Sequence, residues 1–162
     1  MRARKPVAKL PATRVWLRLF SCANVIQRRL RDGLRRQFGT TLPRFDLLAQ
    51  LDHAESGGTP SLTMSELSER LMVSNGNLTG LVVRLAREGL VRRSASPTDA
   101  RAQLVSLTAA GRRGFGRMAA RVRGSIDLMF AGLSQRERAQ LHALVGELKQ
   151  SVEASHREDG VP

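Results

Sequence analysis

The segment LVRRSASPTDARAQLVSLTAAG, residues 90–111, constrains the fold of this chain more than any other part of the sequence. Two short apolar runs, residues 90–93 and 103–107, flank a polar turn that holds Pro97 and Asp99. Apolar and polar positions alternate in the second run, which is typical of a β-strand, and the residues between the runs are typical of a hairpin turn. Because the remaining segments have helical periodicity, the sequence predicts a mainly α-helical fold with one small β-hairpin.

Two short helices are predicted directly before this hairpin. The first begins near Thr63, which has the spacing of a capping box with Glu66, and the second follows Ser74, a candidate N-cap. The second helix has a stripe of apolar residues at helical spacing, formed by Leu78, Leu81, Val82 and Leu85. A pair of short helices followed by a two-stranded ribbon has the organisation of a winged helix-turn-helix, whose second helix enters the major groove of DNA.

The face of the second helix opposite the apolar stripe carries groups suited to DNA. The amides of Asn75 and Asn77 match the donor and acceptor of an adenine edge. The glycines beside them, which cost up to about 1 kcal/mol each in a helix, would let the backbone approach the duplex; alternatively, SNGN is simply a flexible turn. Arginines further along this helix and serines of the preceding one, Ser68 included, are placed to contact phosphates. The predicted contacts are Ser65, Ser74, Asn75, Gly76, Asn77, Thr79, Gly80, Arg84 and Arg87.

The hairpin carries basic residues of its own. A hairpin beside the recognition helix can reach the neighbouring minor groove, where the concentrated negative potential attracts an inserted arginine. We predict this role for Arg101, held by a charge-assisted hydrogen bond to Asp99. Arg92 and Arg93 at the base of the hairpin are predicted to contact the DNA backbone. The alternative is an ordinary solvated turn with a weak surface ion pair.

The charge of the chain favours the same kind of partner. Among 162 residues, 27 are Lys or Arg and 14 are Asp or Glu, so the formal net charge is +13. A charge of this size indicates a polyanionic partner, which is nucleic acid or, less often, an anionic membrane surface; alternatively, it only keeps the protein soluble. The hydrophobic fraction of 41% is sufficient for a packed core.

The sequence lacks the motifs that are typical of several other classes of protein. A single cysteine, Cys22, excludes an intramolecular disulfide framework and a Cys-rich zinc module, and the three histidines lack the paired spacing of metal ligands, so no metal or cofactor is predicted. Phosphate-binding loop, HExxH and GxSxG motifs are missing, so we expect no enzyme and assign no catalytic residue. No apolar run reaches the ~20 residues of a membrane span, and no apolar segment follows MRARKPVAKLP as in a secretory signal. We therefore expect a cytoplasmic protein without a membrane partner.

Long amphipathic helices flank the central region. The first covers residues 13–38, with apolar positions every three or four residues, and ends at Gly39. Thr108 is predicted to cap a second long helix, and Ser134 and Glu137 form the capping box of a last one. The residues predicted to lie inside on the last helix are Leu141, Leu144, Val145, Leu148 and Val152. Apolar stripes this long need a partner surface.

The stretch LTMSELSERLMVSNGNLTGLVVRLAREGLVRRSASPTDARAQLVSLTAAG, residues 62–111, resembles the MarR family of transcriptional regulators. The resemblance implies a homodimer that binds a palindromic operator on double-stranded DNA and represses transcription until a small ligand releases it. It implies a dimerisation region at 13–40 and 108–154 and a winged helix-turn-helix at 41–107. The composition of the two ends predicts a basic flexible arm at 1–12 and a disordered tail at 155–162. Gly80 departs from the family pattern, in which a basic residue often follows the threonine, so Asn75 and Asn77 would contribute more of the specificity.

The first two helices are similar to regulators of aromatic-acid catabolism. This similarity implies an effector that is an aromatic carboxylate or an acyl-CoA thioester, bound between the dimerisation helices and the winged domain. The predicted lining is Trp16, Arg18, Asn24, Arg28 and His53, although the arginines could instead coat a solvated or DNA-facing surface. Two alternatives for the function are a non-specific architectural winged-helix protein and a repressor that senses oxidants through Cys22, which has no tyrosine in this chain to activate its thiol.

Overall fold

Helices form most of the structure, and a small antiparallel sheet lies in the middle of the chain. The computed structural model describes residues 10–97, 99 and 102–158. The elements are α1 (Ala12–Phe38), α2 (Leu42–Ser56), β1 (Leu62–Thr63), α3 (Met64–Leu71), α4 (Asn75–Arg87), β2 (Val91–Ala95), β3 (Gln103–Leu107), α5 (Ala109–Met129) and α6 (Gln135–Glu158). The chain divides into two compact units, Met1–Arg123 and Gly124–Pro162. This architecture confirms the predicted fold class, and no helix in the described ranges is long and apolar enough to cross a membrane.

The ends of the helices follow the expected local chemistry with one exception. Gly39 ends α1 with φ 60°, a conformation that glycine adopts without steric cost. The side chain of Thr63 accepts a hydrogen bond from the backbone N–H of Glu66, whose carboxylate accepts one from the N–H of Thr63, so the predicted capping box is present. Ser74 occupies the N-cap of α4, but its side chain makes no capping hydrogen bond. The prediction that this hydroxyl caps the helix is therefore wrong.

The sheet has a third strand that the sequence did not predict. Its order is β1-β3-β2, with both pairs antiparallel. β1 contains only two residues, and Leu62 lies opposite Val105 of β3. Val91 of β2 lies opposite Leu107, so β3 forms the centre of the sheet. A two-residue strand has no alternation to detect, and it forms because a distant strand supplies its hydrogen-bond partners.

The core of the first unit lies between the helices and the sheet. The buried residues come from α1 to α5 and from all three strands. The predicted apolar stripe of α4 is buried there, with Leu78 and Leu85 both fully inaccessible. Phe45 of α2 packs against Phe115 of α5, with ring centroids 5.4 Å apart. These contacts fix α4 in the fold by one face and leave the other face at the surface.

The second unit contains the end of α5, a turn and α6. The capping box of Ser134 and Glu137 is present, because the N–H of Glu137 donates to the Ser134 hydroxyl and the N–H of Ser134 donates to the Glu137 carboxylate. α6 continues to Glu158, beyond the predicted start of the disordered tail at residue 155. The apolar residues predicted to lie inside are instead exposed, Leu144 by 63% and Val152 by 60%, because none of the residues that the structure describes covers them.

Candidate nucleic-acid interface

The turn that joins α3 to α4 is held by reciprocal hydrogen bonds. The hydroxyl of Ser68 donates to the carbonyl oxygen of Val73 at 2.7 Å, and the N–H of Val73 donates to the carbonyl oxygen of Ser68 at 3.2 Å. Met72, between them, ends α3 in the left-handed conformation. The hydroxyl proton of Ser68 is therefore used inside the protein, so Ser68 positions α4 rather than donating to a phosphate as the sequence suggested.

The N-terminal half of α4 presents a polar surface. Asn75, Gly76, Asn77 and Thr79 are exposed, and Gly80 is half-buried. The hydroxyl of Thr79 donates to the backbone oxygen of Asn75 at 2.8 Å, which leaves its lone pairs free to accept. Within the described residues, no hydrogen bond occupies the side-chain amide of Asn75 or Asn77. These two amides retain their full capacity to bind an external ligand.

Two arginines lie further along the same helix. Arg84 and Arg87 are exposed and belong to the last turn of α4. The guanidinium of Arg84 lies over Gly80, where a Cβ built on residue 80 would be 3.9 Å from Nη1 of Arg84. A side chain at residue 80 would therefore be in van der Waals contact with this guanidinium.

The hairpin separates its two basic residues. Arg92 lies opposite Ser106 and Arg93 opposite Val105, and adjacent residues of a strand point to opposite faces of a sheet. Arg93 donates to the side-chain oxygen of Gln103 across the hairpin. The guanidinium of Arg92 has no hydrogen-bond or ion-pair partner among the described residues. Asp99 helps to close the turn, where its backbone oxygen accepts from the N–H of Ala102 at 3.0 Å. Arg101 and its predicted bond to Asp99 lie outside the described residues.

Two ion pairs, which the sequence did not reveal, attach neighbouring elements to α2. Arg44 of α2 pairs with Glu88 at the C-terminal end of α4. Glu55, near the end of α2, accepts from Arg112 of α5 at 2.7 Å between Oε2 and Nε. The hydrogen bond from Arg112 lowers the pKa of the Glu55 carboxyl and raises that of the guanidinium. α4 is therefore anchored at the end opposite to its polar surface.

The residues predicted to line an effector pocket do not form one cluster on α1. Trp16 is 60% exposed and stacks on Phe20, with ring centroids 5.8 Å apart. Arg18 is two residues further on, about 200° around the helix, and so points away from Trp16. Asn24 and Arg28 are exposed and lie one turn apart, and His53 is exposed on α2. These residues do not form a pocket on their own, so the effector pocket remains a prediction.

Metal-ligating side chains do not cluster at the described positions. Within those ranges, no group of three His, Cys, Asp or Glu residues could hold a metal ion. Cys22 lies exposed on α1 and forms no disulfide.

Two short helices joined by a tight turn, with a hairpin following the second helix and a third strand completing its sheet, define a winged helix-turn-helix. A family model described as MarR family matches residues 38–102. The match places residues 38–102 of this chain in the MarR family.

Three comparisons illustrate the relationship. The chain is 32% identical to the transcriptional activatory protein BadR of Rhodopseudomonas palustris over 101 residues. This match covers 62% of this chain and 56% of BadR. A crystal structure of a mutant MarR from E. coli complexed with operator DNA is 28% identical, with a TM-score of 0.69, and covers 81% of this chain and 91% of MarR. The crystal structure of NadR in complex with 4-hydroxyphenylacetate is 23% identical, with a TM-score of 0.67, and the match covers 91% of this chain and 97% of NadR. The match to BadR thus spans only somewhat more than half of that relative.

Proposed function

We propose that this chain is a sequence-specific, double-stranded DNA-binding regulator of transcription whose helix α4 lies in the major groove. The observation that carries the proposal is the division of α4 into a buried apolar face and an exposed face with the uncommitted amides of Asn75 and Asn77. Such amides read adenine by bidentate hydrogen bonding. The E. coli MarR structure with operator DNA supports the use of this fold in the same way.

Phosphate contacts provide the sequence-independent part of the binding. Arg84 and Arg87 on α4 and Arg92 on the hairpin are exposed cations on either side of the base-reading surface. The net charge of +13 supplies long-range attraction to the duplex. Ser65, exposed in the first turn of α3, completes the set of phosphate contacts, and Arg101 enters the minor groove. Each neutralised phosphate then contributes about −0.9 to the slope of log affinity against log salt.

The protein acts as a homodimer. α1 exposes an apolar surface that includes Trp16 and Phe20, and α6 exposes another that includes Leu144 and Val152. A monomer rarely leaves apolar surface of this extent in water, and a second copy of the chain would cover it. Two subunits related by a two-fold axis read half-sites about 34–36 Å apart, so the operator is a near-palindrome.

An aromatic carboxylate or its acyl-CoA thioester is the proposed effector, which releases the dimer from its operator and so relieves repression. The NadR complex with 4-hydroxyphenylacetate supports the capacity of this fold to hold an aromatic acid. BadR is named an activatory protein, so the sign of regulation is tested separately, by a promoter reporter with and without the protein. Repression predicts higher reporter output when the gene is deleted.

Selection from a random-sequence duplex pool tests the proposed function. We expect enrichment of one near-palindromic site, and a salt slope for that site that becomes shallower by about 1 in Arg84→Ala. Arg136→Ala removes the same charge from the exposed surface of α6 and serves as the control. Recovery of unrelated sequences with equal affinity would instead indicate an architectural protein, and release of the selected site by alkylation of Cys22 would indicate the redox-sensing alternative.

A further inference from the structure

The turn between α3 and α4 holds a methionine in a backbone conformation that favours glycine. Met72 has φ 52°, and no other non-glycine residue in the described part of the chain has a positive φ. Glycine adopts this left-handed conformation without steric cost, and asparagine adopts it more readily than methionine. A large unbranched side chain is therefore an expensive choice at this position.

The fold requires the conformation of Met72 but makes no use of its side chain. The N–H of Met72 donates to the carbonyl oxygens of Ser68 and Glu69, which ends α3. The side chain itself is 91% exposed, the highest value for a large apolar residue among those described. It neither packs in the core nor relieves the backbone, so any contribution that it makes comes from a contact outside the chain.

We propose that Met72 is a specificity-determining residue whose side chain contacts the C5-methyl group of a thymine in the major groove. The proposal rests on the proposed function, which places the N-terminal end of α4 at the base edges. Met72 is the C-cap of α3, and it precedes Asn75, the first residue of α4, by three positions.

The chemistry of the side chain selects the thymine methyl among the groups that a groove offers. Phosphates and the polar edges of bases gain nothing from a thioether, whereas the thymine methyl is recognised by apolar contact. The flexible, polarisable methionine adapts readily to such a contact. Val73, next to Met72, is also exposed, by 36%. Arg70 and Ser74 in the same turn are polar and exposed, so the apolar surface at Met72 is narrower than the patch that a protein partner needs.

The test measures the affinity of wild type, Met72→Gly and Met72→Asn for the duplex that wild type selects from a random pool. Each thymine of one half-site is replaced in turn by deoxyuridine, which lacks only the C5-methyl group. At one position we expect wild type to lose about fourfold in affinity, the equivalent of one methyl group removed from contact. Both variants should lose at least that much on the thymine duplex and show no further loss on the deoxyuridine duplex.

Two controls separate this contact from other effects. Both variants should melt at or above the temperature of wild type, because glycine and asparagine relieve the left-handed backbone. Equal affinity of wild type and Met72→Gly for the thymine duplex, or an equal deoxyuridine penalty in all three proteins, would overturn the proposal. The Asn75→Ala/Asn77→Ala double variant is measured alongside. Loss of binding in the double variant without loss in Met72→Gly contradicts only the Met72 contact, whereas no loss in either protein contradicts the DNA-binding role of α4.

Discussion

Gly111 of α5 packs directly against the backbone of Leu90, so closely that a Cβ at residue 111 would lie 2.0 Å from the Leu90 carbonyl oxygen. Thr108 completes this junction, because its hydroxyl donates to the carbonyl oxygen of Gly89 at 2.6 Å and accepts from the N–H of Gly111 at 2.9 Å. The start of α5 is thus joined to the segment between α4 and β2. These contacts hold the start of α5 against the segment that links α4 to the hairpin.

Gly111→Ala should therefore destabilise the fold. The added methyl group meets backbone rather than a flexible side chain, so the helix has to move, and overpacking of this kind costs about 1–3 kcal/mol or more. Chemical denaturation measures the change in the free energy of unfolding. Gly116→Ala in the same helix is the matched control, because nothing lies within 4 Å of its Cβ and alanine favours the helix by up to about 1 kcal/mol. Similar losses in both variants would contradict the close approach at Gly111.

Thr63→Ala should weaken the fold in a pH-dependent way. Hydrogen bonds from the backbone N–H and hydroxyl of Thr63 lower the pKa of the Glu66 carboxyl. Because this pKa is lower in the folded state, the bonds stabilise the protein at pH values above the ordinary pKa of a glutamate. The stabilisation is lost as the pH falls through the lower pKa of the folded state. We expect Thr63→Ala to cost about 1 kcal/mol at neutral pH and less near pH 3.

Ser74→Ala is the control for this cap. Ser74 occupies the same N-cap position of the next helix, but its side chain makes no capping hydrogen bond, so its removal should change the stability by only a few tenths of a kcal/mol. Denaturation curves at the two pH values measure both variants. A loss in Thr63→Ala that does not change between them would show that the Glu66 carboxylate takes no part.

Asn75→Ala and Asn77→Ala should relax the base preference of the protein. An asparagine that reads adenine contributes about 1–3 kcal/mol of discrimination against the wrong base, so each variant should accept other bases at one position of each half-site. Binding to a panel of single-base variants of the selected duplex measures this preference. Gln27→Ala removes an exposed amide from α1 and should leave the base profile unchanged. An unchanged profile in both α4 variants would exclude these amides from base reading.

Arg101→Ala should weaken operator binding strongly while the melting temperature and the dimer remain nearly unchanged. The prediction comes from the sequence, because a hairpin arginine suits a narrow minor groove. Gel shifts measure the affinity, and sedimentation measures the oligomeric state. Arg113→Ala, which removes an exposed charge from α5, controls for the loss of net charge. If Arg101→Ala binds as well as Arg113→Ala does, the hairpin is not a DNA-binding wing.

Local signals in the sequence were sufficient to predict most of the helices and the hairpin. The apolar stripe of α4, the capping boxes at Thr63 and Ser134, and Gly39 at the end of α1 act over a few residues, and each appears in the structure as predicted. The fold class follows from them. The polar surface of α4 was predictable for the same reason, because burial of one face of a helix determines which residues the other face exposes.

Features that depend on distant partners could not be predicted from the sequence. β1 exists because Leu62 pairs with Val105. The ion pair of Glu55 joins it to Arg112, which is 57 positions away in the sequence. The role of Ser68 depends on the closure of the turn at Val73. Trp16 and Arg18 differ by two positions, which an α-helix places on opposite sides, so a pocket that contains both needs elements other than α1.

Competition between specific and non-specific DNA tests most directly whether α4 reads sequence. Fluorescence anisotropy follows release of the selected duplex as a scrambled duplex of equal length is added. We predict that wild type retains its site against an excess of about a thousandfold, and that the Asn75→Ala/Asn77→Ala double variant releases it at a far smaller excess. Displacement of the selected duplex from wild type by an equal concentration of the scrambled duplex would contradict the account.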